Sequence, residues 1–275
     1  MQIIGLLFAI ITFLQAMKGT LASNMLEEGV WLSGAAYCGK DKYNTMQVAG
    51  PASGFKVSTI LYDPKTDLQG FTGVLETSKT IYVVFRGSSS LLNWIDDAEI
   101  IKDPYLSYPD CGCQVHHGFY RSALNVKNAT IESVFSLQKK YKEYDVVATG
   151  HSYGAAVAQI MAMELEKVGI ETAVYNYGQP RTGDEKYADF VNTVIKEYVR
   201  VTHDRDVVPH VPPMEGFEYY HSCGEVFENS AGILEQCSEI DCEDPKCADR
   251  YNMYETNADD HSIYLGHVVG CEEST

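Results

Sequence analysis

One stretch, residues 145–169, leaves this chain little choice of fold. Asp145–Thr149 (D-V-V-A-T) is an apolar run of strand length, and Gly150-His151-Ser152-Tyr153-Gly154 follows without a gap. Ala155, Val157, Ala158, Met161, Ala162 and Leu165 then recur at helical spacing, and Gly169 ends the pattern as a C-terminal stop. A strand that enters a helix through two glycines must turn sharply. The residue between them sits at a strained apex, and a side chain at either glycine would collide with the neighbouring elements. Ala155 and Ala156 continue the small surface where the helix approaches the sheet.

The rest of the chain alternates in the same way. Thr80–Phe85 (T-I-Y-V-V-F) is β-branched and aromatic, His117–Lys140 has helical character, and Thr172–Tyr177 is a second apolar run. Gly183–Lys196 is expected to be a helix and Tyr198–Thr202 a further strand, with Asp206 just beyond it. Strand–helix alternation at this spacing predicts a mostly parallel central sheet with helices on both faces, a fold of the α/β class. Sites in such sheets lie beyond the carboxyl ends of the strands. Residues 215–260 are acidic, rich in cysteine and weakly periodic, and read as disulfide-stapled loops with one hairpin.

The first 22 residues are a different material. Ile3–Met17 is almost wholly apolar but shorter than the roughly 20 residues of a membrane span, and small residues follow at Thr20 and Ala22. This reads as a secretory signal peptide, 1–22, leaving one mature domain over 23–275. Eight cysteines, an even number, fit an exported chain with disulfides. A zinc site among Cys223, Cys237, Cys242 and Cys247, with His221 beside it, lacks the paired C-x-x-C spacing and is set aside, so no metal is expected. Asn128-Ala129-Thr130 is the acceptor sequon for N-glycosylation. A net charge of −17 repels phosphate backbones and argues against nucleic acid as a partner. A monomer is the simplest expectation.

A serine displayed at a strand–helix apex is a candidate nucleophile, with the helix N–H groups near any developing oxyanion. Its hydroxyl needs a base, usually a histidine, oriented and charge-stabilised by an acid. In this fold class the chain order is serine, acid, histidine. Asp184, Asp204, Asp206 and residues of the 235–260 loop can supply the acid, and His203, His210, His221, His261 and His267 the base. Order and strand position favour Asp206 and His261, but leave His210 and His221 open.

Taken together, several motifs resemble the class 3 lipases, the filamentous-fungal triacylglycerol lipase family. They run from Ala35-Ala36-Tyr37-Cys38-Gly39-Lys40 through Phe85-Arg86-Gly87-Ser88, Asn93-Trp94-Ile95, His116-His117-Gly118-Phe119 and the Ser152 elbow. Tyr177-Gly178-Gln179-Pro180-Arg181, Arg200-Val201-Thr202-His203, Asp206-Val207-Val208-Pro209 and His261-Ser262-Ile263-Tyr264-Leu265-Gly266 continue in the family's order. The resemblance implies an α/β-hydrolase fold with a short lid helix and a catalytic triad of Ser152, Asp206 and His261. It implies an oxyanion hole from Ser88 and the backbone N–H of Tyr153, and no cofactor. Structural roles then fall to His210 and His221, and His151 supports packing.

The resemblance also places a lid after Ser88. Within Ser89–Glu99, Leu91, Trp94 and Ile95 fall at helical spacing with Leu92 adjoining, and Asn93, Asp96 and Asp97 lie towards the other side. Cys38 and Cys271 match the family's long-range disulfide. Cys111 is expected to pair with Cys113, where the family often has C-x-x-C, and Cys237 with Cys247 and Cys223 with Cys242. The expected function is a secreted carboxylic-ester hydrolase, foremost a triacylglycerol lipase working on acylglycerols at a lipid–water interface. Phospholipase A1 or feruloyl esterase activity on the same scaffold is the alternative, and a catalytically inactive secreted binding protein the remote one.

Overall fold

The computed structural model describes residues 24–88 and 100–271. The expected signal peptide and the lid residues Leu91, Leu92, Trp94 and Ile95 lie outside that set.

Residues 24–35 form a helix, α1. Lys56–Asp63 (β1), Leu68–Leu75 (β2) and Thr80–Phe85 (β3) follow as an antiparallel meander. A small pair, Lys102–Pro104 (β4) and Gln114–His116 (β5), leads into the long helix His117–Lys140 (α2). Then come Asp145–His151 (β6), helix Tyr153–Lys167 (α3) and Ala173–Tyr177 (β7). Helix Glu185–Val194 (α4) and Tyr198–His203 (β8) continue the alternation. The chain closes with Glu225–Glu228 (β9), Leu234–Gln236 (β10) and the two-residue strands Ile263–Tyr264 (β11) and His267–Val268 (β12).

One sheet runs β1-β2-β3-β6-β7-β8-β9-β10. Pairing is parallel from β3 to β9 and antiparallel at both edges. Every residue of β3 is buried, as a strand covered on both faces must be. Ile81, Val83 and Phe85 pack with α2 and α3 residues such as Phe119, Val126, Val157 and Met161. Tyr82 and Val84 face the other way, towards Met25 and Leu32 of α1. The alternation of side chains along one strand thus feeds two cores.

Helix α4 is shorter than the expected 183–196. The Asp184 carboxylate accepts the Tyr187 N–H at 2.9 Å and caps its start, which makes Asp184 a helix cap rather than a candidate acid. The cysteine-rich region does contain a hairpin, β9–β10, and β9 also extends the main sheet in parallel with β8. The cysteines close four disulfides, Cys38–Cys271, Cys111–Cys113, Cys223–Cys242 and Cys237–Cys247. Two of those sulfurs, with Glu225, make up the one cluster of potential metal ligands among the described residues, and both are spent in Cys237–Cys247. Asn128 is exposed on α2, while Thr130 of its sequon is buried and bonds back to the Val126 carbonyl at 2.9 Å.

Candidate active site

Ser152 stands between β6 and α3 with φ 59° and ψ −131°, the strained left-handed side of backbone space. The glycines beside it have no room for anything larger. A Cβ on Gly150 would lie 2.5 Å from the Gly154 carbonyl carbon, and one on Gly154 would lie 2.3 Å from the Phe85 carbonyl oxygen. The end of β3 is therefore pressed against the first turn of α3. Ser152 N–H donates to the Tyr177 carbonyl at 2.9 Å, which ties the apex to β7.

The same crowding brings Phe85-Arg86-Gly87-Ser88 to Ser152. A Cβ on Gly87 would sit 3.1 Å from Ser152 Cβ and 2.8 Å from the His151 carbonyl oxygen, which sets Ser88 directly beyond a segment packed on the elbow. Tyr153 is fixed from below. Its hydroxyl bonds the Ser122 hydroxyl and donates to the Gly118 carbonyl at 3.3 Å, so the start of α2 braces Tyr153, the first residue of α3.

Asp206 follows β8, and His261 lies in the short helical turn Asp260–Ser262. They meet with His261 Nδ1 at 2.8 Å from Asp206 Oδ2. A ring nitrogen facing a carboxylate carries the proton, which leaves the lone pair on Nε2. That Nε2 is buried and makes no hydrogen bond among the described residues. The Asp206 carboxylate also accepts the Val208 N–H at 2.8 Å and the Tyr264 hydroxyl. Burial alone would raise its pKa, but the His261 imidazole and these donors outweigh burial and hold it below the ordinary value. Gly178 lines the same space at φ 54°. A Cβ there would come within 2.9 Å of His261 Nδ1 and 2.6 Å of the Tyr264 hydroxyl.

His151 does more than pack. Its Nε2 lies 2.8 Å from the His261 carbonyl and must donate to it, so Nδ1 accepts from the Tyr37 hydroxyl at 2.7 Å. Burial, with His261 alongside, pushes its pKa down to about 3, so the ring is neutral at pH 7. The remaining histidines stand apart from Ser152 in their bonding. His210 is buried near Asp249, at 3.6 Å, and His221 Nε2 donates to the Pro209 carbonyl at 2.8 Å. His203 Nδ1 bonds the Asp260 carbonyl at 2.9 Å, and His267 stacks on Trp31.

Sequence reasoning missed the supports. Arg181 is buried, grips Glu243 through Nε at 3.0 Å and one Nη at 2.8 Å, and donates to the His210 carbonyl at 2.8 Å. The stapled insert is thereby clamped beneath the segment that carries Asp206. Arg200 makes a second buried pair with Glu225 at 3.0 Å. The Tyr264 hydroxyl on Asp206 had a signal, the tyrosine spaced three residues from His261.

A family model for class 3 lipases matches residues 82–216. The lipase of Rhizomucor miehei is 36% identical over 221 residues, 78% of this chain, and the chain spans only 58% of that relative's length. A "Secreted mono- and diacylglycerol lipase 2" of Gibberella zeae is 30% identical over 72% of this chain and 56% of its own length. Among solved structures, that of Rhizomucor miehei triacylglyceride lipase superposes with a TM-score of 0.82 at 31% identity, covering 90% of this chain and 96% of that one. Sheet order, elbow and likeness agree: the chain has the α/β-hydrolase fold and belongs to the class 3 lipase family.

Proposed function

We propose that this chain is a secreted serine carboxylester hydrolase, foremost a triacylglycerol lipase, with Ser152, Asp206 and His261 as its triad. The observation that carries the reading is the pair His261 Nδ1–Asp206 Oδ2 at 2.8 Å with an unpartnered His261 Nε2, in a fold that displays Ser152 at a strained apex. Ser152 Oγ attacks the ester carbonyl while His261 Nε2 takes its proton and returns it to the leaving alcohol. Asp206 stabilises the imidazolium that forms. Ser88 and the Tyr153 N–H stabilise the oxyanion, each such donor lowering the barrier by about 3 kcal/mol. Water then repeats the sequence on the acyl-enzyme.

The substrate class is supported by the relatives' names and by the apolar spacing of Leu91, Leu92, Trp94 and Ile95, proposed as a lid. Export is supported by four disulfides and by the apolar leader 3–17. The deciding experiment measures hydrolysis of an emulsified triglyceride, a diglyceride, a phosphatidylcholine and methyl ferulate side by side. The triglyceride is expected to be cleaved fastest, and dominance of either of the last two would move the assignment to that ester. With tributyrin, the rate is expected to break upward at the solubility limit and to do so less in Trp94→Ser. A smooth hyperbola in the unsubstituted protein would remove the lid.

A further inference from the structure

A cavity of about 520 Å³ lies outside the catalytic residues, between α1, the β9–β10 hairpin and the turn that follows Tyr264. Helix α1 supplies Leu26, Val30 and Trp31 to its walls, the hairpin supplies Leu234, and the turn supplies Leu265. The charged side chains in its lining are two carboxylates, Glu27 and Glu228. Glu27 is exposed on α1, but Glu228 is only 3% exposed.

Glu228 is half accounted for. Its Oε2 accepts the Leu265 N–H at 2.6 Å. Among the described residues, no hydrogen bond to its Oε1 and no ion pair with a lysine, arginine or histidine is seen. A carboxylate with one neutral donor and no cation beside it is an acceptor with which a cation in reach would pair. An inorganic ion would leave the leucine, valine and indole walls facing water. A neutral lipid would cover those walls and leave the charge unmatched. The volume falls in the range of small-molecule sites.

We propose that this cavity binds a small organic cation, an ammonium group carried on a short alkyl chain. The ammonium sits between Glu228 Oε1 and Glu27, and the alkyl chain lies along Leu26, Val30, Leu234 and Leu265. Trp31, with one face stacked on His267 at 4.1 Å between centroids and Gly50 packed against the ring, lines the same space and reports on it. This assignment does not depend on the proposed ester hydrolysis.

The chain has two tryptophans, Trp31 and Trp94, so in Trp94→Phe all indole fluorescence comes from Trp31. Hexylammonium, 1-hexanol and hexanoate are titrated into that protein at constant ionic strength. Hexylammonium is expected to give a saturable change that the neutral and anionic chains of equal length do not. Glu228→Gln keeps an oxygen for the Leu265 N–H but removes the charge, and should weaken binding about tenfold. Glu27→Gln, at an exposed position that does not threaten folding, should weaken it about threefold, the scale of a solvent-screened pair. Three results would overturn the proposal: no saturable response to hexylammonium, hexanol binding equally well, or unchanged affinity in the charge variants.

Discussion

The proposed nucleophile and its proposed acid–base pair are held by different means. Ser152 owes its posture to consecutive residues: a buried strand, an apex with φ 59°, and a helix whose approach Gly150 and Gly154 alone permit. Asp206 and His261 are 55 residues apart and rest on side chains brought from elsewhere. Tyr264, the Val208 N–H, His151 on the His261 carbonyl, and the Arg181–Glu243 clamp under His210 hold them in place. One half of the site is set by local steric exclusion, the other by long-range bonds.

Removing either half should abolish turnover to a similar degree, because triad members act as a unit. Ser152→Ala and His261→Ala are each expected to lose about 10⁴-fold or more on a soluble nitrophenyl ester, Ser152→Ala with an unchanged melting temperature. A dead His210→Ala or His221→Ala beside an active His261→Ala would break the comparison at its acid–base end.

Stability should separate the halves further. Replacing Cys38 and Cys271 by serine is expected to cost roughly 5 kcal/mol in urea unfolding, given the 233-residue separation they bridge. Replacing Cys237 and Cys247, only 10 apart, should cost about 3 kcal/mol. The second pair should also lower turnover, since the insert it staples carries Glu243. Equal turnover with a lower melting temperature would show that the insert does not position Asp206.

At the elbow, Gly154→Ala pushes a methyl group against the Phe85 carbonyl at 2.3 Å, where backbone meets backbone and no rotamer change relieves it. A loss of about 3 kcal/mol is expected, at the upper end of overpacking effects. An unperturbed urea midpoint would show that the elbow is less rigid than its geometry implies.

The last expected effect is graded by pH. Burial pushes His151 down to about 3 and His210 to about 4, and His221 lies well below its ordinary value for the same reason. The unfolded chain therefore binds protons below pH 6.5 that the folded chain refuses. The contribution of these histidines to stability is complete above pH 6.5 and falls on acidification, by up to about 1.4 kcal/mol per pH unit for each, while Asp249, raised to about 6 by burial, opposes it below pH 6. The fall continues to about pH 4 for His210 and about pH 3 for His151. Urea midpoints from pH 7 to 5 measure it, and His210→Gln should flatten the slope by one histidine's share.

The same contrast explains what the sequence disclosed. β3, β6, α3 and β7 are legible because burial on both faces and helical spacing are local properties, and all four fall within a residue or two of their expected bounds. The antiparallel strands β1 and β2 are not, since Lys56–Asp63 mixes exposed and buried residues without clean alternation. The extension of the sheet by Glu225–Glu228 depends on Arg200, a residue 25 positions away, and leaves no periodic trace. For the acid and base, chain order narrowed the choice and family motifs made it. Nothing in the composition of 205–261 separates His261 from His210 or His221.

The Cys38–Cys271 bridge has a mechanical corollary. It joins the end of the first helical segment to the last described residue, with the sheet and Ser152, Asp206 and His261 inside the closed loop. Tension carried along the covalent chain between points outside the clasp passes through the sulfur bridge and not through the enclosed backbone. A single backbone cut inside the loop likewise separates nothing until a reductant opens the bridge.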